Sequence, residues 1–452
     1  MKKKVAIAGA TGFIGKWFID KFHQEFDIIA LSRGEINDNQ YPTVEWRRAD
    51  LYSLSSTTNA LQGADYALYL VHSMNPSTRM NQGSFENTDL LLADNFARSA
   101  EACGLKQIVF VGGILPKEKG EISKHLLSRY ETEQTLGSRS VPVTAIRAGI
   151  VIGPGGSSFK VVQQLVKKLP IMACPKWCKS PSEPIDYRDM LGFLKKALGN
   201  EETYGKAIEV GGKEEISYMD MLSLSSELMG KKRWIFSIPF FTLGFSKLWV
   251  ALFSGTRTTF VSPLIESLRH DMRVDRQQEF VWRGTIKIED SIQNALYSSA
   301  PQIKRSYEEE EERNTVRSVQ RLSNPANRTA KWIADEYPNW LHNYLKFIFT
   351  ASKKGDMVRF YLFNIMLLQL SYMPERSDEK RRLFFITGGV LSKRADLGWL
   401  EFRSVLGNKH IISAIHRFVP ALPWFLYKYT QAIGHLFIMN QFNRFLKKQE
   451  QL

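Results

Sequence analysis

Cysteine is scarce, with three in 452 residues. Three cannot form a disulfide framework, and Cys174 and Cys178, spaced C-x-x-x-C, have no histidine or carboxylate cluster beside them to complete a zinc site. The expectation is structural thiols in a reducing compartment and no metal. Long uninterrupted apolar runs are also missing. The greasiest stretch, Trp234–Gly255, approaches membrane-span length but is broken by Pro239 and Gly244 and carries Lys247. It reads as two short elements of a hydrophobic lobe, with contact to a membrane surface, because Lys231-Lys232-Arg233 adjoins it, and a true span as the alternatives. The opening M-K-K-K leads into an apolar strand rather than a cleavable segment, so the expected location is cytoplasmic, with peripheral membrane contact. Acidic residues are outnumbered 46 to 61, for a net charge of +15. No zinc-finger, RNP-like or helix-turn-helix pattern accompanies that excess, and the basic residues are dispersed, so no nucleic-acid partner is expected. An anionic surface or an acidic partner accounts for the charge.

What is present is a glycine turn. K-K-V-A-I-A runs directly into G-A-T-G-F-I-G at Gly9–Gly15. Gly9 permits the tight strand-to-helix turn, Gly12 lets backbone approach a pyrophosphate, and Gly15 allows close helix packing. Thr11, Phe13 and Ile14 complete the loop, and the helix that follows offers N–H groups and a partial positive charge to phosphate. A second strand, Asp27–Leu31, ends at Ser32-Arg33, where a ribose-reading residue belongs. A hydroxyl and a guanidinium there suit the 2′-phosphate of NADP better than the free hydroxyl of NAD, which remains the alternative. Asp50-Leu51 follows a third strand, Val44–Arg48, and belongs beside the adenine. Tyr66–Val71, Gln107–Val111 and Val143–Arg147 read as further strands. Helical stretches at Ser53–Leu61, Gly83–Cys103 and Glu121–Leu136 separate them. Strands alternating with helices imply a doubly wound parallel α/β sheet.

These motifs, with A-D-L at Ala49–Leu51 and a strand ending near Val71-His72, resemble the extended and atypical short-chain dehydrogenase/reductases. Within them the chain is similar to the branch related to the NADPH-binding accessory subunit of respiratory complex I. Y-L-V-H-S-M at Tyr69–Met74, S-K-H-L-L-S-R at Ser123–Arg129, R-A-G-I-V-I-G-P-G at Arg147–Gly155, L-P-I-M at Leu169–Met172 and P-I-D-Y-R-D at Pro184–Asp189 carry the resemblance. It spans roughly residues 1–300 and implies a Rossmann-like NAD(P)-binding domain with a smaller substrate-side lobe.

The same resemblance exposes a gap. Ordinary members carry Tyr and Lys four residues apart on a helix, and no Tyr of this chain has Lys at that spacing. The corresponding helix instead offers His125 and Arg129, on one face by their spacing of four. The preceding strand ends Phe110-Val111-Gly112-Gly113, without the usual catalytic serine. His125 is therefore the candidate proton-transfer group, since imidazole titrates near neutrality, and Arg129 the candidate ribose clamp. A fixed cation at Arg129 favours the neutral ring. Tyr130 and Tyr187 are alternative acids, with packing as their more ordinary role. A nucleotide pocket that never turns over is the competing account of the same residues.

Charge marks a boundary. Glu308–Glu312 is a run of five acids, read as the core of a linker at 301–315. Beyond it the period changes. Asn327–Phe349 reads as an amphipathic helix bent at Pro338. Short apolar runs at Val358–Phe363, Leu367–Tyr372, Leu383–Thr387, Leu400–Leu406 and His410–Val419 suggest an antiparallel sheet, and a helix from about Pro423 to Lys448 closes the chain. Sheet plus terminal helix resembles the START-like (SRPBCC) helix-grip fold. R-S-V-Q-R-L at Arg317–Leu322, I-T-G-G at Ile386–Gly389 and L-E-F-R at Leu400–Arg403 resemble C-terminal domains fused to this reductase branch. That resemblance implies an α+β domain over 316–452 with an apolar cavity, in which His416 and His435 would be polar groups; a filled core is the alternative. The whole reads as an NADP(H)-binding protein acting on an apolar small molecule or lipid, as oxidoreductase or isomerase. The alternative is a non-catalytic redox sensor or scaffold at a membrane surface.

Overall fold

Val5, Ala6, Ile7 and Ala8 are buried without exception, so the first strand, Lys4–Ala8, presents apolar side chains to both faces of its sheet. It pairs in parallel with Asp27–Ser32 on one side and Tyr66–Tyr69 on the other. The complete sheet is eight-stranded and parallel. Its spatial order is Val281–Arg283, Ala207–Gly211, Val143–Ala148, Gln107–Gly113, Tyr66–Tyr69, Lys4–Ala8, Asp27–Ser32 and Glu45–Arg48. Strand order reverses beside Lys4–Ala8, which opens a crevice at the strands' carboxyl ends, as a doubly wound fold requires. The computed structural model describes residues 2–36, 40–73, 80–116, 122–238, 266–267, 270–303, 315–395 and 397–449. The acidic run Glu308–Glu312 and all of Trp234–Gly255 beyond the strand Trp234–Ile238 lie outside the described residues. Among the described residues, no helix is long and apolar enough to cross a membrane.

The chain forms two units. One comprises Met1–Met74 and Asn95–Tyr307, the other Asn75–Asp94 and Glu308–Leu452. The first expectation, an uninterrupted N-terminal domain over 1–300, does not hold for residues 75–94. The strand Met80–Gln82 pairs in parallel with Val316–Ser323, which makes it an edge of the second unit's sheet. Gly83 follows because a Cβ there would lie 2.6 Å from the Val319 carbonyl oxygen. Only glycine lets the two backbones approach so closely.

Otherwise the second sheet is antiparallel. It runs Phe349–Lys354, Met357–Leu362, Ile365–Tyr372, Arg381–Gly388, Trp399–Val405, His410–Phe418 and then Val316–Ser323. Helices Ala330–Tyr344 and Gln431–Lys448 complete a helix-grip-like α+β arrangement. The first of them is shorter than its sequence suggests. It passes through Pro338 but ends at Tyr344, and Phe349 opens a strand in which Phe349 and Ala351 turn towards the core while Thr350 and Ser352 are exposed. Rings bridge the helices to the sheet. Tyr337 lies 5.0 Å from Phe442 and 5.6 Å from Phe402, and Trp340 lies 5.0 Å from Phe442, centroid to centroid. The aromatic-rich helices thus contribute packing to the core of this unit.

On the face of the sheet opposite Phe402 sits a charged cluster. Glu401 is wholly buried and accepts from Arg381 Nε at 2.7 Å, Arg403 Nη2 at 2.9 Å and His416 Nε2 at 3.1 Å. Arg403 Nη1 donates to Asp94 at 2.9 Å, so the cluster reaches the segment contributed from residues 75–94. Burial opposes ionisation of Glu401, but the charges of Arg403 and Arg381 and the His416 bond outweigh it and hold the carboxyl well below its usual range. Burial lowers His416, against the pull of Glu401. His416 is therefore a buried core residue bonded to Glu401 through Nε2, its ring stacked on Trp399 at 4.8 Å. Both shifts have one consequence. The depressed carboxylate contributes stability that is lost as pH falls through its folded value, and the depressed imidazole loses more as pH falls below its ordinary value of about 6.5. Glu401→Gln should cost about 3–5 kcal/mol of unfolding free energy by leaving two guanidinium groups buried. Urea unfolding followed at pH 7 and pH 5 should show the wild type losing stability on acidification, and the variant losing at least as much, because Glu401 no longer helps His416 to hold a proton.

Candidate functional site

The turn after the first strand is built by close contact. Gly9 has φ of +92°, and a Cβ on it would meet the Leu70 backbone at 3.1 Å. Its carbonyl accepts from Gly12 N at 2.8 Å. A Cβ on Gly15 would stand 2.4 Å from that same Gly9 oxygen, so the helix Phe13–Phe22 is held hard against the turn. Gly12 caps this helix without a side-chain bond, which leaves the first-turn N–H groups for another acceptor.

A cavity of about 430 Å³ in the first unit begins there. Gly9, Gly12, Phe13, Ile14 and Gly15 form one wall, and His72, His125 and Arg129 the next. Gly112 and Gly113 end the strand Gln107–Gly113, and a Cβ on Gly113 would strike Leu126 Cδ2 at 2.7 Å. The strand end is therefore bare because the helix Lys124–Leu136 packs on it. Val161, Val162, Leu165, Met172, Trp177 and Leu222 line the far end. Among the described residues that line it, Arg129 is the one arginine or lysine, and none is a carboxylate. A ligand in the far end meets hydrocarbon, Tyr218 and two thiols. Burial pushes the Tyr218 hydroxyl up, and keeps it protonated. The thiols are Cys174 and Cys178, hydrogen-bonded to each other, with Cys174 the more acidic partner and Cys178 raised.

His125 and Arg129 both reach the cavity, but they are held differently. His125 Nδ1 lies 3.2 Å from Ser267 Oγ, which is itself 2.9 Å from Ser123 Oγ. Ser123 caps the helix, accepting from Leu126 N at 3.2 Å. The His72 ring lies 5.1 Å from that of His125. Two imidazoles and two hydroxyls thus meet at the mouth of the glycine turn. Arg129 donates to Val71 O at 3.0 Å and Val111 O at 2.5 Å, and its guanidinium stands 4.5 Å over Phe110. It fastens two strand ends together.

Other residues singled out in the sequence sit apart from this lining. Ser32 is buried and its carbonyl accepts from Ala49 N, while Arg33 is exposed at the strand end. Asp50 shapes a turn, its carboxylate accepting from Tyr52 N, and the Leu51 carbonyl accepts from Asn95 Nδ2. Thr11 also lies outside the cavity wall, and Val71 joins the site through its carbonyl. Tyr187 packs on Trp17 at 4.5 Å and Phe13 at 6.4 Å; Tyr130 lies under Arg147, which is paired with Glu133. Both do packing work. Ser267 and Tyr218 escape sequence reading because each reaches the cavity from a distant segment with no local motif. Gly15→Ala should destabilise the first unit by about 1–3 kcal/mol, because a methyl cannot enter a 2.4 Å gap to backbone oxygen. Thermal unfolding checks this, and Gly104→Ala is not a control, since Gly104 has φ of +68°. Gly192→Ala is the control, a glycine with open space and no positive φ.

Comparison with known proteins places this geometry. Residues 5–169 match the NAD dependent epimerase/dehydratase family. Auxiliary protein GraX of Staphylococcus aureus is 27% identical over 146 residues, covering 32% of this chain and 43% of GraX. The chain thus spans less than half the length of the curated relative it matches. Among solved structures, a nucleoside-diphosphate-sugar epimerase from Staphylococcus aureus aligns at 14% identity and a TM-score of 0.48, over 67% of this chain and 98% of its own. The NADPH-dependent quinone oxidoreductase QOR2 of Escherichia coli, complexed with NADPH, aligns at 16% and 0.49, over 65% and 99%. Each is a likeness, and none carries a substrate over to this chain.

Proposed function

We propose that the first unit binds NADP(H) at Gly9–Gly15 and acts as an oxidoreductase or isomerase on a neutral, apolar molecule held in the far end of the cavity. The observation that carries this reading is that one cavity joins the glycine turn, the His125–Ser267 pair and an apolar wall. The residues fit a dinucleotide. Gly12 leaves room for close backbone approach, and the uncapped helix supplies N–H donors for its phosphates. Exposed Arg33 is the cation for a 2′-phosphate. When bound, the nicotinamide supplies or accepts hydride.

The chain's own part is the proton. For alcohol oxidation the substrate carbon gives up a hydride to the nicotinamide and its hydroxyl a proton, which passes through the Ser267 hydroxyl to the neutral His125 imidazole. His125 then releases that proton to solvent, and carbonyl reduction runs the same path backwards. Ser267 thereby stands in for the serine that the strand end Gly112-Gly113 lacks. Apolar walls exclude water and hold the substrate by area rather than charge.

A second reading has its own observation. The Arg129 donors to Val71 and Val111 serve the scaffold, and the usual Tyr–Lys pair is missing, as in a nucleotide sensor or scaffold that does not turn over.

Calorimetry should show tighter binding of NADPH than NADH, and Arg33→Ala should remove about 1.5–3 kcal/mol of NADPH affinity only. Equal wild-type affinities would exclude NADP selectivity. With a turned-over substrate, His125→Ala should slow single-turnover hydride transfer by roughly 10²–10⁴ with NADPH affinity retained. Unchanged rates would remove His125 from the chemistry and favour the sensor.

A further inference from the structure

The second unit carries an apolar surface that its own core does not use. Phe347 is 94% exposed, and Ile348, Phe363, Ile365 and Val390 are exposed beside it. Hydrogen bonds tie their segments together at one end of the sheet. Phe363 N donates to Ile348 O at 2.9 Å, and Val390 N donates to Met366 O at 3.1 Å. Ala421 N donates to Leu391 O at 3.0 Å, which brings in the chain leading to the helices Trp424–Tyr429 and Gln431–Lys448. There Phe425 is 67% exposed, and Leu426, Tyr429, Ile433 and Phe437 are exposed with it. Phe425 and Tyr429 lie one turn apart on the short helix, as do Ile433 and Phe437 on the long one. Phe363 adopts φ of +50°, a conformation that a bulky side chain rarely takes, at the tip of its hairpin. The contributors are turns, a hairpin tip and helix faces, so aromatic rings project from the surface instead of lining a groove. Clustered exposed apolar side chains of this kind mark an interaction site.

Charge selects the occupant. Segments 357–374, 380–395 and 402–449 contain no Asp or Glu. Lys346, Lys393 and Lys428 are exposed among the apolar residues, one on each of three segments. Residues 301–452 hold 24 basic and 14 acidic side chains, a net of +10. Projecting aromatics ringed by lysines, with acids excluded, are complementary to a layer that is negative outside and hydrocarbon within. We infer that this end of the second unit docks on an anionic phospholipid bilayer, inserting Phe347 and Phe425 while the lysines meet headgroup phosphates. This inference is independent of nucleotide chemistry in the first unit.

The test is co-sedimentation of the full chain with vesicles of phosphatidylcholine, with and without phosphatidylglycerol. The wild type should pellet with the anionic vesicles and release as salt is raised. Phe347→Ser with Phe425→Ser should reduce partitioning by about tenfold or more, and Lys393→Glu with Lys428→Glu should do the same. All four side chains are exposed, so the variants should fold, and unchanged NADPH affinity and circular dichroism check that. No binding to anionic vesicles overturns the inference. Equal binding to neutral vesicles overturns the role of charge. If sedimentation velocity shows a self-associated wild type that the Phe variants dissociate, without vesicle binding, the surface belongs to a second copy of the chain.

Discussion

The candidate site depends on the distance between Gly15 and the Gly9 carbonyl. A missing Cβ lets the first helix lie against the first turn, where any side chain would stand 2.4 Å from oxygen. Moving that helix outwards would carry Phe13 and Ile14 off the cavity wall and turn the uncapped N–H groups away from it. Leu70 fixes the other side, because Gly9 touches its backbone and the Leu70 amide donates to Ala8 O at 2.9 Å. The strand ends next in line are fastened by Arg129. Three successive strand ends are therefore locked, by backbone contact and by the Arg129 side chain, before any ligand arrives, a preorganisation that lowers the cost of binding.

Much of this was legible in the sequence because it is local. Glycines at 9, 12 and 15, between a β-branched run and a helix, specify the turn by themselves. The parallel sheet followed from the alternation of strands and helices, and the antiparallel one from period-two runs between Met357 and Phe418. His125 was legible from its spacing to Arg129. Its partner was not, because Ser267 lies 142 residues further on and no pattern surrounds it. Arg129 shows the limit of reading by analogy. Spacing brought it to the right face, but the carbonyls it would bind, at Val71 and Val111, belong to two other strands. Met80–Gln82 was invisible for a further reason. Three residues are too few for a periodic signal, and the partner strand begins beyond residue 315.

The two units spend charge in opposite ways. In the second, Glu401 gathers Arg381, Arg403 and His416 where water cannot reach, so that each buried charge is met by an opposite one or a hydrogen bond. In the first, the described residues of the cavity wall include one guanidinium, already engaged, and no carboxylate. An interior of that kind discriminates by shape and by the few hydroxyl and imidazole groups at its mouth.

Residues 75–94 give the chain an unusual order of assembly. Gln82 and Ser318, joined in the finished sheet, are separated by 236 residues. At ribosomal speeds of about 5–20 residues per second, the early strand waits roughly 10–50 seconds for its neighbour to be made. During that interval Asp94 has no Arg403, and Gly83 has no Val319 to lie against. The first unit must therefore fold around an excursion that it cannot itself satisfy, and the nascent chain holds an open strand edge for most of its synthesis. Removing residues 308–452 would therefore leave Met80–Gln82 without the strand it pairs with.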